Sequence, residues 1–165
     1  MIIPKPIGVI MSFQIHALAP AGFEPLFTMS DADLAEISAR RMTVDSKPGY
    51  PCRVSLADAE VGETVILVNF THLSADSPYR SAHAIYVREH ARQVFPEIDE
   101  VPELFHNRTI SVRAFDGENN MVDAELVGGA RVAESITTML QNTSVSYLHL
   151  HNAQRGCFLA RATRA

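Results

Sequence analysis

The stretch YLHLHNAQRGC (147–157) sets His149 and His151 two residues apart and places Cys157, one of two cysteines in the chain, just beyond the following turn. Read as a hairpin, strand 144–151 lies against strand 157–164 across the loop Asn152–Gly156. Direct pairing then puts His151 opposite Cys157, His149 opposite Leu159 and Tyr147 opposite Arg161. Leu150 meets Phe158 and Leu148 meets Ala160 on the other, core-facing side. Side chains alternate along a strand, so His149, His151 and Cys157 share a face. Three roles fit that trio. The imidazoles and a thiolate can ligate a divalent metal such as zinc, with His72 or His83 as a further donor. Cys157 can act as a nucleophile with His151 as its base. Or the histidines pack and hydrogen-bond while the cysteine serves as a small buried hydrophobe.

A second constellation is THLSADSPYRSAH (71–83), in which His72 and His83 bracket a loop carrying Asp76, Ser77, Tyr79 and Arg80. The two histidines sit at the ends of neighbouring expected strands. The Arg80 guanidinium offers a planar fork for a carboxylate or phosphate. Ser77–Pro78 as a plain turn, with Arg80 paired to a nearby acid, explains the same residues. Cys52–Arg53, after the turn KPGYPC, puts a thiol beside a cation, and Asn152 and Arg155 occupy the C-terminal loop. Together these residues outline a cleft for a small, anionic ligand. Rigid packing around two prolines and a buried thiol is the alternative at Cys52, and a turn closed by Gly156 with positive φ is the alternative at Arg155.

These side chains need a scaffold, and hydropathy patterning supplies one. SFQIHAL (12–18) alternates like a half-buried strand, and Phe23, Leu26 and Phe27 suggest one helical turn. SDADLAEISARR (30–41) carries helix signals: Ser30 as N-cap, Asp31 and Asp33 in the first turn, Arg40 and Arg41 at the end. Pro48–Gly49 suits the centre of a type II turn. TVILVNF (64–70) is apolar on both faces, as an interior strand is, and AHAIYVRE (82–89) follows after a long loop. TISVRAF (109–115) and MVDAELV (121–127) form a hairpin around DGENN in which Phe115 faces Met121, Ile110 faces Leu126 and Arg113 pairs with Asp123. In GGARVAESITTMLQN (128–142), Val132, Ala133, Ile136, Met139 and Leu140 recur at helical spacing, so an amphipathic helix lies on the sheet. Gly128–Gly129 before it is a tight turn or an N–H cradle for an anion.

PGYPCRVSLADAEVGETVILVNFTHLSADSPYRSAHAIYVRE (48–89) and YLHLHNAQRGCFLARATRA (147–165) together resemble the bacterial domain-of-unknown-function family 1203, over roughly residues 11–165. The resemblance implies a small bacterial, cytoplasmic, single-domain protein. It carries no functional residue with it.

Composition bounds the rest. With 165 residues, 47% hydrophobic and 20% charged, the chain suits one globular domain. A net charge of −5 argues against general nucleic-acid binding. No apolar run approaches the roughly 18 residues of a membrane span. Two cysteines point to free thiols in a reducing cytoplasm. Pro4 and Pro6 break the apolar N-terminus, a poor fit to a signal peptide, and Met11 is an alternative start that leaves 1–10 as a tail. The chain has no P-loop, GxGxxG, CxxC, HExxH or GxSxG. The expected fold is α+β, a mostly antiparallel twisted sheet of six or seven strands, free to curl toward a barrel, with one or two packed helices. The expected function is a small-ligand-binding or interaction domain, in a homodimer or alone, or a small enzyme using the metal or Cys–His chemistry above.

Overall fold

The computed structural model describes residues 11–165; the expected tail 1–10 lies outside them. Eight strands and three short helices follow one another: β1 (Phe13–His16), α1 (Asp31–Glu36), β2 (Ala39–Thr43), β3 (Thr64–Leu73), β4 (Ser81–Arg88), α2 (Glu103–His106), β5 (Thr109–Phe115), β6 (Met121–Gly128), α3 (Val132–Leu140), β7 (Tyr147–Asn152) and β8 (Phe158–Arg164). They make a five-stranded sheet in the order β1-β8-β7-β5-β6 and a three-stranded sheet in the order β2-β3-β4, with every strand pair antiparallel. The fold is therefore α+β. Among the described residues the two sheets stay open and separate and form no barrel.

Each sheet buries one face in its own cluster. Ile110, Val112 and Ala114 of β5, Leu148 and Leu150 of β7, and Ala160 and Ala162 of β8 meet Val132, Ile136 and Leu140 of α3. This is the amphipathic helix that the spacing predicts. Gly129 ahead of it is required by close approach, because a Cβ there would stand 2.1 Å from the Phe105 carbonyl oxygen. The position belongs to packing and leaves no room for an anion. In the second sheet, Ile66 and Val68 of β3 and Ile85 and Val87 of β4 pack with Cys52, Val54, Leu34 and Phe23. Val65 packs on the opposite side with Val44, Tyr50 and Ala59, which makes β3 the interior strand that its double-sided apolar pattern demands.

The local registers depart from the sequence expectations where single residues bulge. In the β5–β6 hairpin Phe115 does face Met121, but the pairing then slips, so that Ala114 faces Asp123, Arg113 faces Ala124 and Ile110 faces Val127. Arg113 thus loses its expected acidic partner. In the C-terminal hairpin Leu148 pairs with Ala162, His149 with Arg161 and Leu150 with Ala160; a shift at Leu150/His151 then brings His151 opposite Phe158. Cys157 is not across from His151, and Phe158 leaves the core-facing side for the histidine side. A third irregularity lies at Thr71/Leu73, and β3 runs three residues past its expected end, which shortens the loop before β4.

Two further expectations change. Ser30 does cap α1, its hydroxyl accepting from the Asp33 N–H at 3.1 Å. The helix stops at Glu36, however, and Ser38, at φ 56°, reverses the chain so that Arg40 and Arg41 fall in β2. At the KPGYPC turn the Lys47–Pro48 peptide is cis and Gly49 does not take positive φ, so the turn is not type II.

Candidate metal centre

His72, His149 and His151 come together. One ring nitrogen from each lies within 4.8 Å of the others. Two are neighbours on β7, and the third reaches them from the other sheet. Alternation along β3 turns Ile66, Val68 and Phe70 to one face, and His72, the extra residue of the bulge between Thr71 and Leu73, stacks on Phe158 beyond them. His149 is 4% exposed and His151 1%.

The histidines stand in an aromatic box. The Phe158 ring stacks on His72, with centroids 5.4 Å apart and planes 8° apart, and meets His149 edge-on at 5.0 Å. Phe115 and Tyr147 pack on the other side of His149. Burial in this apolar shell disfavours the imidazolium and pushes His149 and His151 down to about 3 and His72 to about 4. The repulsion of nearby Arg113 acts in the same direction on all three. The rings are therefore neutral near pH 7, which is the form that ligates metals.

Hydrogen bonds prepare those rings further. His151 Nδ1 lies 2.9 Å from the Gly156 carbonyl oxygen, an acceptor only; Nδ1 must donate, so Nε2 keeps its lone pair. His72 Nε2 meets the Ser81 hydroxyl at 2.9 Å. Outer partners of this kind fix ring orientation in metal-binding histidines. Meanwhile the Nδ1 atoms of His72 and His149 are buried with no partner among the described residues. Buried polar atoms are ordinarily satisfied, so two orphaned nitrogens in one cluster need an explanation.

A cavity of about 270 Å³ opens beside the histidines, lined by Leu18, Phe70, Leu73, Asn119, Tyr147 and Arg161 among others. Its charge is one-sided. Across the sheet, His149 pairs with Arg113 on one flank and Arg161 on the other. Arg161 lies 4.4 Å above the Tyr147 ring, and Arg113 Nε donates to Ser111 Oγ at 3.1 Å. Neither arginine has an acidic partner among the described residues. A larger cavity of about 510 Å³ elsewhere is lined by Asp58, Arg108, Glu60, Lys47 and Arg88, whose charges are paired, Arg108 gripping Asp58 at 2.7 and 2.9 Å.

The remaining sequence candidates lie apart from the trio. His83 sits opposite Phe70, half-buried, with Nδ1 on the Ala84 carbonyl at 3.3 Å. Cys157 is buried and makes no hydrogen bond to His151 among the described residues; its thiol faces the Arg53 guanidinium. Arg53 is itself 1% exposed, donating from Nε to the Phe158 carbonyl at 2.8 Å and from Nη1 to the Pro51 carbonyl. It anchors the backbone that holds the stacking Phe158 rather than reaching the cavity. Cys52 is buried in the second core and accepts from the Arg88 N–H. Tyr79 and Arg80 are exposed on the β3–β4 loop, and Arg155 is exposed on the β7–β8 loop. Asn152 closes its own loop, accepting from the Gln154 N–H, and lines the paired-charge cavity.

Sequence reasoning missed Phe158, Arg113 and Arg161. Arg113 is the one cation inside the apolar run TISVRAF and Arg161 the first of two in FLARATR, each with the right parity to share the histidine face. Arg113 meets His149 across the regular β5–β7 pairing of strands distant in sequence, and the bulge in β8 that sets Arg161 opposite His149 has no signature in the residue types.

Residues 49–164 match the model of a family described as "Protein of unknown function (DUF1203)". No curated protein and no solved structure matches the chain.

Proposed function

We propose that this chain, which belongs to the DUF1203 family, is a metal-binding domain that holds one divalent transition ion on His72, His149 and His151. The observation that carries this reading is the convergence of three neutral imidazoles, His149 and His151 buried and His72 half-buried, two of them with orphaned nitrogens. An all-imidazole set suits zinc, copper, nickel or iron better than magnesium or calcium, which prefer oxygen. Three protein ligands beside an open cavity follow the pattern of a site that keeps a coordination position for a small molecule, whereas closed structural sites use four. The metal reading is favoured over a Cys–His pair because His151 Nδ1 is committed to Gly156 and the Cys157 thiol is turned to Arg53. Free, buried thiols at Cys52 and Cys157 suit a reducing compartment, and we assign the protein to the bacterial cytoplasm. Among the described residues no helix is long and apolar enough to cross a membrane.

The test is titration of untagged, chelator-stripped protein with cobalt(II), followed by visible absorption and calorimetry. Saturable binding of one cobalt per chain, displaced by zinc, is expected. His72→Ala, His149→Ala and His151→Ala should each remove it, while His83→Ala and Cys157→Ser keep it. Absence of stoichiometric binding, or binding that survives loss of His149, would overturn the reading.

A further inference from the structure

Resting on that metal reading, we infer that the open coordination position is completed by the carboxylate of a small organic acid, whose charge is recognised by Arg161 and whose body lies on the apolar wall of the cavity. The argument begins with charge balance. A dication on three neutral imidazoles keeps its full charge, and Arg113 and Arg161 flank the central ligand His149 from the two adjacent strands. No carboxylate lines this cavity, and neither arginine is paired among the described residues. Arg161 is exposed and Arg113 half-buried beside it, so with the ion in place this side of the sheet carries a local excess of positive charge that attracts an anion. The cavity holding paired charges shows that this chain does supply acids where basic residues need them.

The lining then narrows the anion. A phosphate brings strong acceptor oxygens that need several donors. Beyond Arg161 and the histidines the polar side chains on the wall are Ser74, Asn119 and Tyr147, and the Tyr147 hydroxyl already donates to Asn119 Oδ1 at 2.8 Å, which leaves Ser74 and the Asn119 amide nitrogen as the neutral donors. A carboxylate needs less: one oxygen on the metal and the other on a guanidinium donor. The rest of the wall is Leu18, Phe70, Leu73, Ala75 and Phe158, which suits a hydrocarbon or aromatic body. At about 270 Å³ the cavity lies below the roughly 300 Å³ at which pockets for drug-sized ligands begin, so the acid is small. Arg161 sits at the mouth, braced on Tyr147, where it can meet the acid before the metal does.

Cobalt-loaded protein is titrated with isobutyrate and benzoate, and in parallel with benzamide and inorganic phosphate, reading the cobalt visible bands and the heat. The carboxylates should bind saturably and shift the bands, with benzamide and phosphate weaker. Arg161→Gln should weaken carboxylate binding at least tenfold while leaving cobalt bound as tightly or more so, and Arg161→Lys should recover part of the loss. Cobalt held by the histidines with no spectral response to either carboxylate overturns the inference and leaves the metal reading intact. Phosphate or benzamide binding as tightly as benzoate, or an unchanged response in Arg161→Gln, also overturns it. Failure to bind cobalt overturns the metal reading and this inference together.

Discussion

Three histidines held well below their ordinary titration range give the protein a defined response to acid. In the metal-free chain the folded-state values are about 3 for His149 and His151 and about 4 for His72, against about 6.5 when unfolded. Above about pH 6.5 neither state takes up the protons, and the full stability is present. Between about pH 6.5 and 4 only the unfolded state binds them, so stability falls as pH falls. The slope approaches about 1.4 kcal/mol per pH unit for a fully buried group and less for the half-buried His72. Urea unfolding of chelator-treated protein at about pH 7.5, 6 and 5 should show this loss, and His149→Phe should flatten it. A wild-type stability unchanged from pH 7.5 to 5 would contradict the burial argument. His149 and His151 could be read from the sequence as sharing a face, because alternation alone decides that. Their aromatic and cationic neighbours could not, since one bulge in β8 moved Phe158 across the sheet and another in β6 separated Arg113 from Asp123. A bulge costs little and leaves no composition signal, yet reassigns the pairing of every residue beyond it.

At the level of elements, the core positions read from periodicity held, whereas local chemistry was mixed: Ser30 caps α1 and Gly156 takes positive φ, but the Pro48–Gly49 turn is not type II. The α3 stripe and the double-sided β3 reach the core as their patterns require, because burial of several large side chains outweighs any single local preference. The expected helix through Arg41 gave way at Ser38, where the chain is needed as β2 to pair with β3. Gly129 shows how tightly one such junction is set. Gly129→Ala would press a methyl into the backbone of Phe105 and His106, and should destabilise the fold by about 3 kcal/mol or more. Gly128→Ala, with nothing near its added methyl and an ordinary negative φ, should change stability by less than about 0.5 kcal/mol. Denaturant midpoints of the two variants, compared at equal slope, check the contrast; equal effects would mean that the loop before α3 yields.

Across the whole molecule, the candidate centre joins two sheets whose main cores are separate and which also meet in the small cluster of Leu73, Phe115 and Tyr147. His72 belongs to the three-stranded sheet, and His149 and His151 belong to the five-stranded one, so a bound ion would tie the halves together. An ion that binds only the folded state at a hundred times its dissociation constant adds about 2.7 kcal/mol of stability. Zinc should therefore raise the thermal midpoint of the wild type and not of His72→Ala. Amide hydrogen exchange should slow most in β3, β4 and β7 on metal binding, more than in β6 at the far edge. Uniform slowing across all strands would argue against a link between sheets.

One small chain of contacts adds a dimension of time to this picture. Ser77 on the β3–β4 loop donates to the Asn119 carbonyl, Asn119 takes positive φ to present itself, and its side chain accepts from the Tyr147 hydroxyl at the cavity wall. Two loops from different sheets are thereby buttoned over the rim beside His72. Ser77 itself makes no hydrogen bond to the histidines or Arg161 among the described residues and reaches them only through Asn119 and Tyr147, so its loss should alter how fast the centre exchanges its contents more than how tightly it holds them. In Ser77→Ala, a chelator should strip cobalt several times faster while the equilibrium affinity stays the same, and stopped-flow measurements against calorimetry separate the two. Equal stripping rates would mean that the rim opens by another route.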